Sequence, residues 1–261
     1  MNDYANSSQN YYLLSDNYKI PKLGLGTYKL LEQNAYNAVL SAIDIGYRLI
    51  DTATIYENES AIGRAIKDCS IEREELFITT KLWHTGLTSV MKDFHESLSK
   101  LSLDYIDLYL IHWPADSNYI SAWGDLIKLQ AQGLVRSIGV SNFTEHHLQS
   151  LFSRYQIKPV INQIEFSPFL YQKELLDFCS SHEIIVQAYT PLTRGKKLTH
   201  HVLQKIALYH HKTPAQIALR WGLELGLVEL PKASSINHLQ ENFAIFDFSL
   251  TESDHHLLAD I

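Results

Sequence analysis

The chain is expected to fold as a single (β/α)8 TIM barrel, an α/β architecture in which eight parallel strands sit inside a ring of helices. Three observations lead there. Eight short runs rich in Ile, Val and Leu alternate with amphipathic segments from end to end, and such alternation means parallel strands joined by right-handed crossovers. The length, 261 residues, suits a barrel, for which about 250 residues in one domain is ordinary. Asp51, Lys81 and His112 fall where three of the runs give way to loops, and Tyr56 lies just beyond the second run. That rim is where this fold builds its active sites.

The strand runs are residues 23–26, 48–51, 77–81, 106–111, 137–140, 160–164, 184–188 and 227–230, with helical patterns at 33–45, 60–68, 88–101, 119–132, 145–153, 172–181 and 213–225. Ahead of the first run, residues 11–20 carry Asp16-Asn17 at their middle and read as a hairpin. Residues 1–10 are polar and are expected to be flexible. Thr213-Pro214 offers an N-cap followed by proline at the first helical position. Gly133 is placed to terminate the helix before it, and a further helical stretch begins at Thr251. Leu23-Gly-Leu-Gly26 is not a dinucleotide fingerprint, since no helix opens after it and the third glycine is missing. No linker or low-complexity tract interrupts the chain, so residues 1–261 are read as one domain.

Composition narrows the function. A hydrophobic share of 46% with 20% charged residues is that of a soluble globular protein. The net charge of −7 and the lack of a basic run argue against nucleic-acid partners. No apolar stretch approaches the ~20 residues that span a membrane, and the polar N-terminus with Asp3 is unlike a signal peptide. A cytoplasmic location is expected, with Cys69 and Cys179 as free thiols. Four histidine doublets (His146-His147, His200-His201, His210-His211, His255-His256) invite a metal reading. Neighbours on a helix point about 100° apart, however, so a doublet rarely supplies two ligands to one ion. No metal site is assigned.

The chemistry rests on the four polar residues. Tyrosine is a weak acid, with an ordinary pKa of about 10, and a lysine ammonium beside Tyr56 would favour the phenolate. Asp51 would keep Lys81 charged, and His112 could steer a carbonyl oxygen toward the phenol. Such a set protonates an oxygen while hydride arrives at carbon from elsewhere.

The local sequences are more specific. Gly46-Tyr-Arg-Leu-Ile-Asp-Thr-Ala-Thr-Ile-Tyr56 resembles the signature of the aldo-keto reductases, and Phe77-Ile-Thr-Thr-Lys-Leu-Trp83 and Leu108-Tyr-Leu-Ile-His-Trp-Pro114 resemble that family's lysine and histidine strands. The likeness runs from about Ile20 to about Asp254 and is strongest to the bacterial 2,5-diketo-D-gluconic acid reductase group. It implies reversible NADPH-dependent reduction of aldehydes or ketones, with catalytic Tyr56, Asp51, Lys81 and His112, a hairpin closing the bottom of the barrel, and a monomer.

The same resemblance distributes the cofactor. Ser141, Asn142 and Gln163 would hold the nicotinamide carboxamide, Tyr189 would stack on its ring, and Gly26, Thr27, Thr190 and Leu192 would line the same groove. Lys232, Ala233, Ser234, His238, Glu241 and Asn242 would meet the adenosine end. Ala233 stands where a phosphate-binding serine is common, and His238 where arginine is usual. Arginine grips phosphate bidentately and stays charged, whereas histidine near pKa 6.5 is only partly charged, so the departure admits NADH beside NADPH. Tyr28, Ile55, Trp83 and Trp113, with His84 as a polar handle, would line the substrate pocket. The chain stops at Ile261, so a shortened C-terminal tail would leave that pocket open and its selectivity broad. Methylglyoxal-type aldehydes and keto-sugar acids both remain as substrates, and a nicotinamide-sensing barrel with little turnover remains as the alternative function.

Overall fold

Strands β1 (Tyr11–Leu13) and β2 (Lys19–Pro21) pair antiparallel as the expected hairpin. Its turn is closed by Leu14 N donating to the Tyr18 carbonyl at 2.8 Å, with Asn17 in the left-handed region at φ 72°, which asparagine tolerates better than most residues. This computed structural model describes residues 10–83, 89–115 and 118–261; the segment expected to be flexible, up to residue 9, and the proposed substrate residue His84 lie outside the described residues.

The remaining strands are β3 (Gly24–Gly26), β4 (Leu49–Asp51), β5 (Phe77–Leu82), β6 (Ile106–Ile111), β7 (Val135–Ser141), β8 (Ile161–Glu165), β9 (Ile185–Tyr189) and β10 (Val228–Leu230). They form one eight-stranded sheet in sequence order, parallel throughout. A parallel bridge between Leu23 and Glu229 joins the first edge to the last, and Gly26 N reaches the Pro231 carbonyl at 3.0 Å beside it. The sheet is therefore closed into the barrel that the alternating pattern predicts.

Helices α1 (Glu32–Ile45), α2 (Glu59–Asp68), α3 (Val90–Leu101), α4 (Tyr119–Ala131), α5 (Glu145–Phe152), α6 (Lys173–Ser181), α7 (His201–His210), α8 (Pro214–Glu224), α9 (Ile236–Phe243) and α10 (Glu252–Ala259) surround it. Thr213 caps α8 by accepting from Gln216 N, with Pro214 at the first turn, as the sequence implies. Gly133, at φ 74°, follows α4 as its terminator. Helix α7 was not expected; it buries Leu203, Ile206 and Ala207, a pattern that its histidine-rich flanks obscure. Two doublets contribute to holding α10: His210 Nε2 lies 2.9 Å from Asp254 Oδ2, and His255 Nε2 lies 2.7 Å from Glu224 Oε2. No described helix is long and apolar enough to cross a membrane.

Two layers of packing follow from the strand period of two. Leu49, Phe77, Leu108, Leu110, Ile161 and Leu230 pack in one buried cluster with Leu14 and Ile20 of the hairpin. The hairpin thus plugs the bottom of the barrel with two apolar side chains. Counting up each strand in even steps from this layer leads from Leu49 to Asp51, from Phe77 to Lys81, from Leu110 to His112 and from Ile161 to Gln163. The polar residues therefore stand on the same inward face, above an apolar floor.

Candidate active site

Lys81 is fully buried, at 0% exposure, and Asp51 is at 4%. The ammonium donates to Asp51 Oδ1 at 2.6 Å and to the Thr52 carbonyl at 2.8 Å. Burial pushes the Asp51 carboxyl up and the Lys81 ammonium down, and the ion pair with its hydrogen bond opposes both shifts. Tyr56 ends a short 3-10 turn, Thr54–Tyr56, that follows β4. It lies over the pair, with Lys81 Nζ 5.1 Å from its ring centroid. His112 presents its ring edge-on to Tyr56 at 5.7 Å and to Trp83 at 5.2 Å. All four residues expected to be catalytic meet at one rim.

Their electrostatics correct one expectation. The Tyr56 phenol is not more acidic than an ordinary tyrosine: burial, then the Asp51 carboxylate and Tyr28, push its pKa above the usual tyrosine range. The Lys81 ammonium is paired with Asp51, which weakens its pull on the phenol without removing it. His112 is pushed down to about 3 by burial and then by Lys81. Its imidazole is neutral at neutral pH, and its buried Nδ1 has no partner.

The strands beyond β6 supply an amide-rich wall. Ser141 Oγ donates to the Gln163 carbonyl at 2.8 Å. Asn142, in the left-handed region at φ 63°, donates to the His112 carbonyl at 3.0 Å and to Ser141 Oγ at 3.1 Å. Its Oδ1 accepts from the Tyr189 hydroxyl at 2.8 Å, so the half-buried Tyr189 ring is fixed relative to His112. Gln163 Nε2 donates to Asp51 Oδ2 at 2.8 Å and to Gln187 Oε1 at 3.0 Å. Thr27 buttresses the opposite side, its Oγ1 donating to the Asp51 carbonyl at 2.9 Å. Thr190, at φ 57°, turns the chain at once after β9, and the Leu192 carbonyl accepts from Gly195 N at 2.7 Å in the same tight loop.

At the seam of β3 and β10 the backbones approach closely: a Cβ added at Gly26 would lie 3.0 Å from the Leu230 carbonyl oxygen. From there the chain passes through Lys232 and Ser234, both exposed, to the exposed His238 in the first turn of α9, while Ala233 is buried. Glu241 is less available than the sequence suggests, because its Oε1 accepts from Thr213 Oγ1 at 2.5 Å and its carbonyl from Gln216 Nε2 at 3.1 Å. It clamps α9 to the start of α8. Asn242 is buried. Of the substrate residues, Tyr28, Ile55 and Trp113 are exposed and Trp83 is half-buried, with Tyr28 5.1 Å from Tyr56 between ring centroids.

Three residues of the site escaped sequence reasoning. The Thr52 carbonyl is a ligand of Lys81. Asn58 ties two loops together, its Nδ2 donating to the Thr27 and Leu30 carbonyls at 3.0 and 2.8 Å, and its Oδ1 accepting from Thr52 at 2.6 Å. Gln187 holds Gln163. Only Gln187 left a signal, as an amide inside the otherwise apolar run 184–188.

The profile of the aldo/keto reductase family matches residues 22–261. The chain belongs to the aldo/keto reductase family. It is 45% identical over 245 residues to methylglyoxal reductase DkgA of Salmonella typhimurium, covering 92% of this chain and 89% of that protein. It is 46% identical over 244 residues to glyoxal reductase of Bacillus subtilis, covering 92% and 88%. A mutant of Gox0644 solved in complex with NADPH superposes with a TM-score of 0.92 at 36% identity, covering 97% of this chain and 94% of that one. As an aldo/keto reductase the chain is an oxidoreductase of carbonyl groups, and the amide-rich wall with an anchored aromatic ring suits the carboxamide and planar ring of a nicotinamide.

Proposed function

We propose that this aldo/keto reductase uses NADPH to reduce small 2-oxoaldehydes of the methylglyoxal type, with Tyr56 giving its proton to the carbonyl oxygen. The observation that carries the reading is the Tyr56 phenol set over the buried Lys81–Asp51 pair, beside a neutral His112, with the Tyr28 ring against Tyr56 and the Trp83 ring against His112. The relatives named for methylglyoxal and glyoxal favour a small dicarbonyl over a keto-sugar acid. On the family resemblance, the enzyme works as a cytoplasmic monomer.

Bound NADPH supplies the hydride chemistry; the residues of the chain manage the oxygen. A phenol with a raised pKa stays protonated at neutral pH. It still yields its proton to a developing alkoxide, which is a far stronger base than a phenolate. The Lys81 charge then stabilises the phenolate left behind. His112, uncharged, keeps one N–H with which to orient the carbonyl oxygen. Ser141, Asn142, Gln163 and Tyr189 would hold the nicotinamide end. Lys232, Ser234 and His238 would meet the 2′-phosphate end, and the change to His238 weakens the grip there.

Steady-state NADPH oxidation with methylglyoxal and with 2,5-diketo-D-gluconate tests the substrate, and Tyr56→Phe tests the proton donor. Turnover should favour methylglyoxal and should vanish in the variant, while NADPH still quenches the fluorescence of the four tryptophans. Retained turnover in Tyr56→Phe would defeat the assignment of the acid.

A further inference from the structure

We propose that Gln187 is a positioning residue: it locks the Gln163 amide so that Gln163 offers its carbonyl oxygen to the nicotinamide carboxamide and, through the same side chain, ties that end of the cofactor to the Asp51–Lys81 pair. The proposal rests on reading Gln163 as a cofactor residue.

Donors and acceptors fix the orientation of both amides. Gln163 Nε2 lies 2.8 Å from Asp51 Oδ2 and 3.0 Å from Gln187 Oε1. A glutamine amide can turn either way round, but its partners decide which. Asp51 is a carboxylate held by the Lys81 ammonium at 2.6 Å, and a carboxylate only accepts. The nitrogen of Gln163 therefore faces Asp51, and one of its two hydrogens remains. Gln187 takes that hydrogen, which requires its own oxygen to face Gln163, since a reversed Gln187 would set one NH2 group against another. Both hydrogens of Gln163 are then engaged inside the protein. Its Oε1 is left as the only group it can show a ligand, and among the described residues nothing bonds to that oxygen.

Gln187 bears a cost for this. It is 0% exposed, and its Nε2 is buried with no hydrogen-bond partner. An unpaired buried amide is unfavourable, so an aliphatic side chain of similar volume would suit a purely packing role better. What glutamine adds at this place is the acceptor for Gln163. The strand register puts it there, because Gln187 pairs directly with Gln163 across β8 and β9. It also shares a face with Tyr189, two residues on, whose hydroxyl is anchored on Asn142 at 2.8 Å. One strand thus supplies both the ring platform and the lock on the amide. Without the lock, the Gln163 side chain would have Asp51 alone to hold it and could rotate its N–H toward the carboxamide.

The test is a double-mutant cycle read by tryptophan-fluorescence titration with NADPH, together with thermal unfolding of the NADPH-free proteins. Gln187→Leu should raise the NADPH dissociation constant about tenfold, the loss expected for one hydrogen bond, while melting close to the wild-type temperature, because the orphaned Gln187 donor is gone but one Gln163 hydrogen loses its acceptor. In a Gln163→Leu background the same change should move the dissociation constant less than about twofold, as expected when the shared partner is already absent. Should Gln187→Leu fail to fold, Gln187→Met removes the same oxygen with a more pliable side chain. If Gln163→Leu binds NADPH like wild type, the assignment of Gln163 falls, and this proposal with it. If Gln163→Leu binds weakly but Gln187→Leu binds normally, Gln163 keeps its role and Gln187 is not its lock. A lowered melting temperature with unchanged affinity, or a full effect in the Gln163→Leu background, likewise overturns the proposal.

Discussion

Lys81 and Asp51 form an ion pair of 2.6 Å inside the barrel, with 0% and 5% of their side chains exposed. Removing one partner leaves the other as an uncompensated buried charge, which costs about 3–5 kcal/mol. Lys81→Met should therefore lower the urea midpoint sharply as well as abolish turnover. The double variant Asp51→Asn with Lys81→Met should regain most of the stability but none of the activity. Equal instability of the single and double variants would show that packing, not the orphaned charge, dominates.

His112 links stability to pH. Its folded-state pKa is depressed from the ordinary value near 6.5 to about 3, so between those values the unfolded chain binds a proton that the native state refuses. The stabilising contribution is present above about pH 6.5 and is lost as pH falls toward 3, at a limiting slope of about 1.4 kcal/mol per pH unit. Urea denaturation of wild type and His112→Gln across that range should give a stability difference that shrinks as pH drops. A pH-independent difference would mean that the imidazole protonates freely in the folded protein.

Gly222 and Glu229 are matched in shape. Glu229 is 1% exposed, its Oε2 has no partner, and a Cβ on Gly222 would meet its Oε1 at 1.6 Å. Gly222→Ala should destabilise by about 1–3 kcal/mol through overpacking, and adding Glu229→Ala should relieve the clash. Urea midpoints of the two variants give the comparison.

Glu229 has its own pH signature, because burial raises its carboxyl well above the ordinary range. A raised folded pKa means stability fully present below about pH 4.3, the unfolded value, and eroded as pH climbs through the folded one. Glu229→Gln should accordingly melt higher than wild type at alkaline pH and show a flatter decline, as thermal scans from about pH 5 to 9 would reveal.

His238 sets a test of cofactor choice. It is exposed in the first turn of α9, close in sequence to Lys232. His238→Arg adds a permanent charge and a bidentate fork for phosphate. Affinity for NADPH over NADH should rise about tenfold, the scale of one charged hydrogen bond. An unchanged ratio would move the 2′-phosphate away from this helix.

Spacing along the chain is enough to specify the barrel and its rim. Apolar runs of strand length and amphipathic helices alternate from end to end. A period of two then carries Asp51, Lys81 and His112 onto the inward face above Leu49, Phe77 and Leu110. These are local rules, and they are legible in the sequence because each depends on a few neighbouring residues. How those groups behave was settled by folding. Gln163 meets Asp51 across 112 residues, Gln187 fixes Gln163, and Glu241 is drawn away to Thr213. Burial beside Asp51 moves the Tyr56 phenol in the direction opposite to that expected from Lys81 alone. Hydrogen-bond partners and desolvation are set by neighbours distant in sequence, and no spacing rule records which of them will arrive.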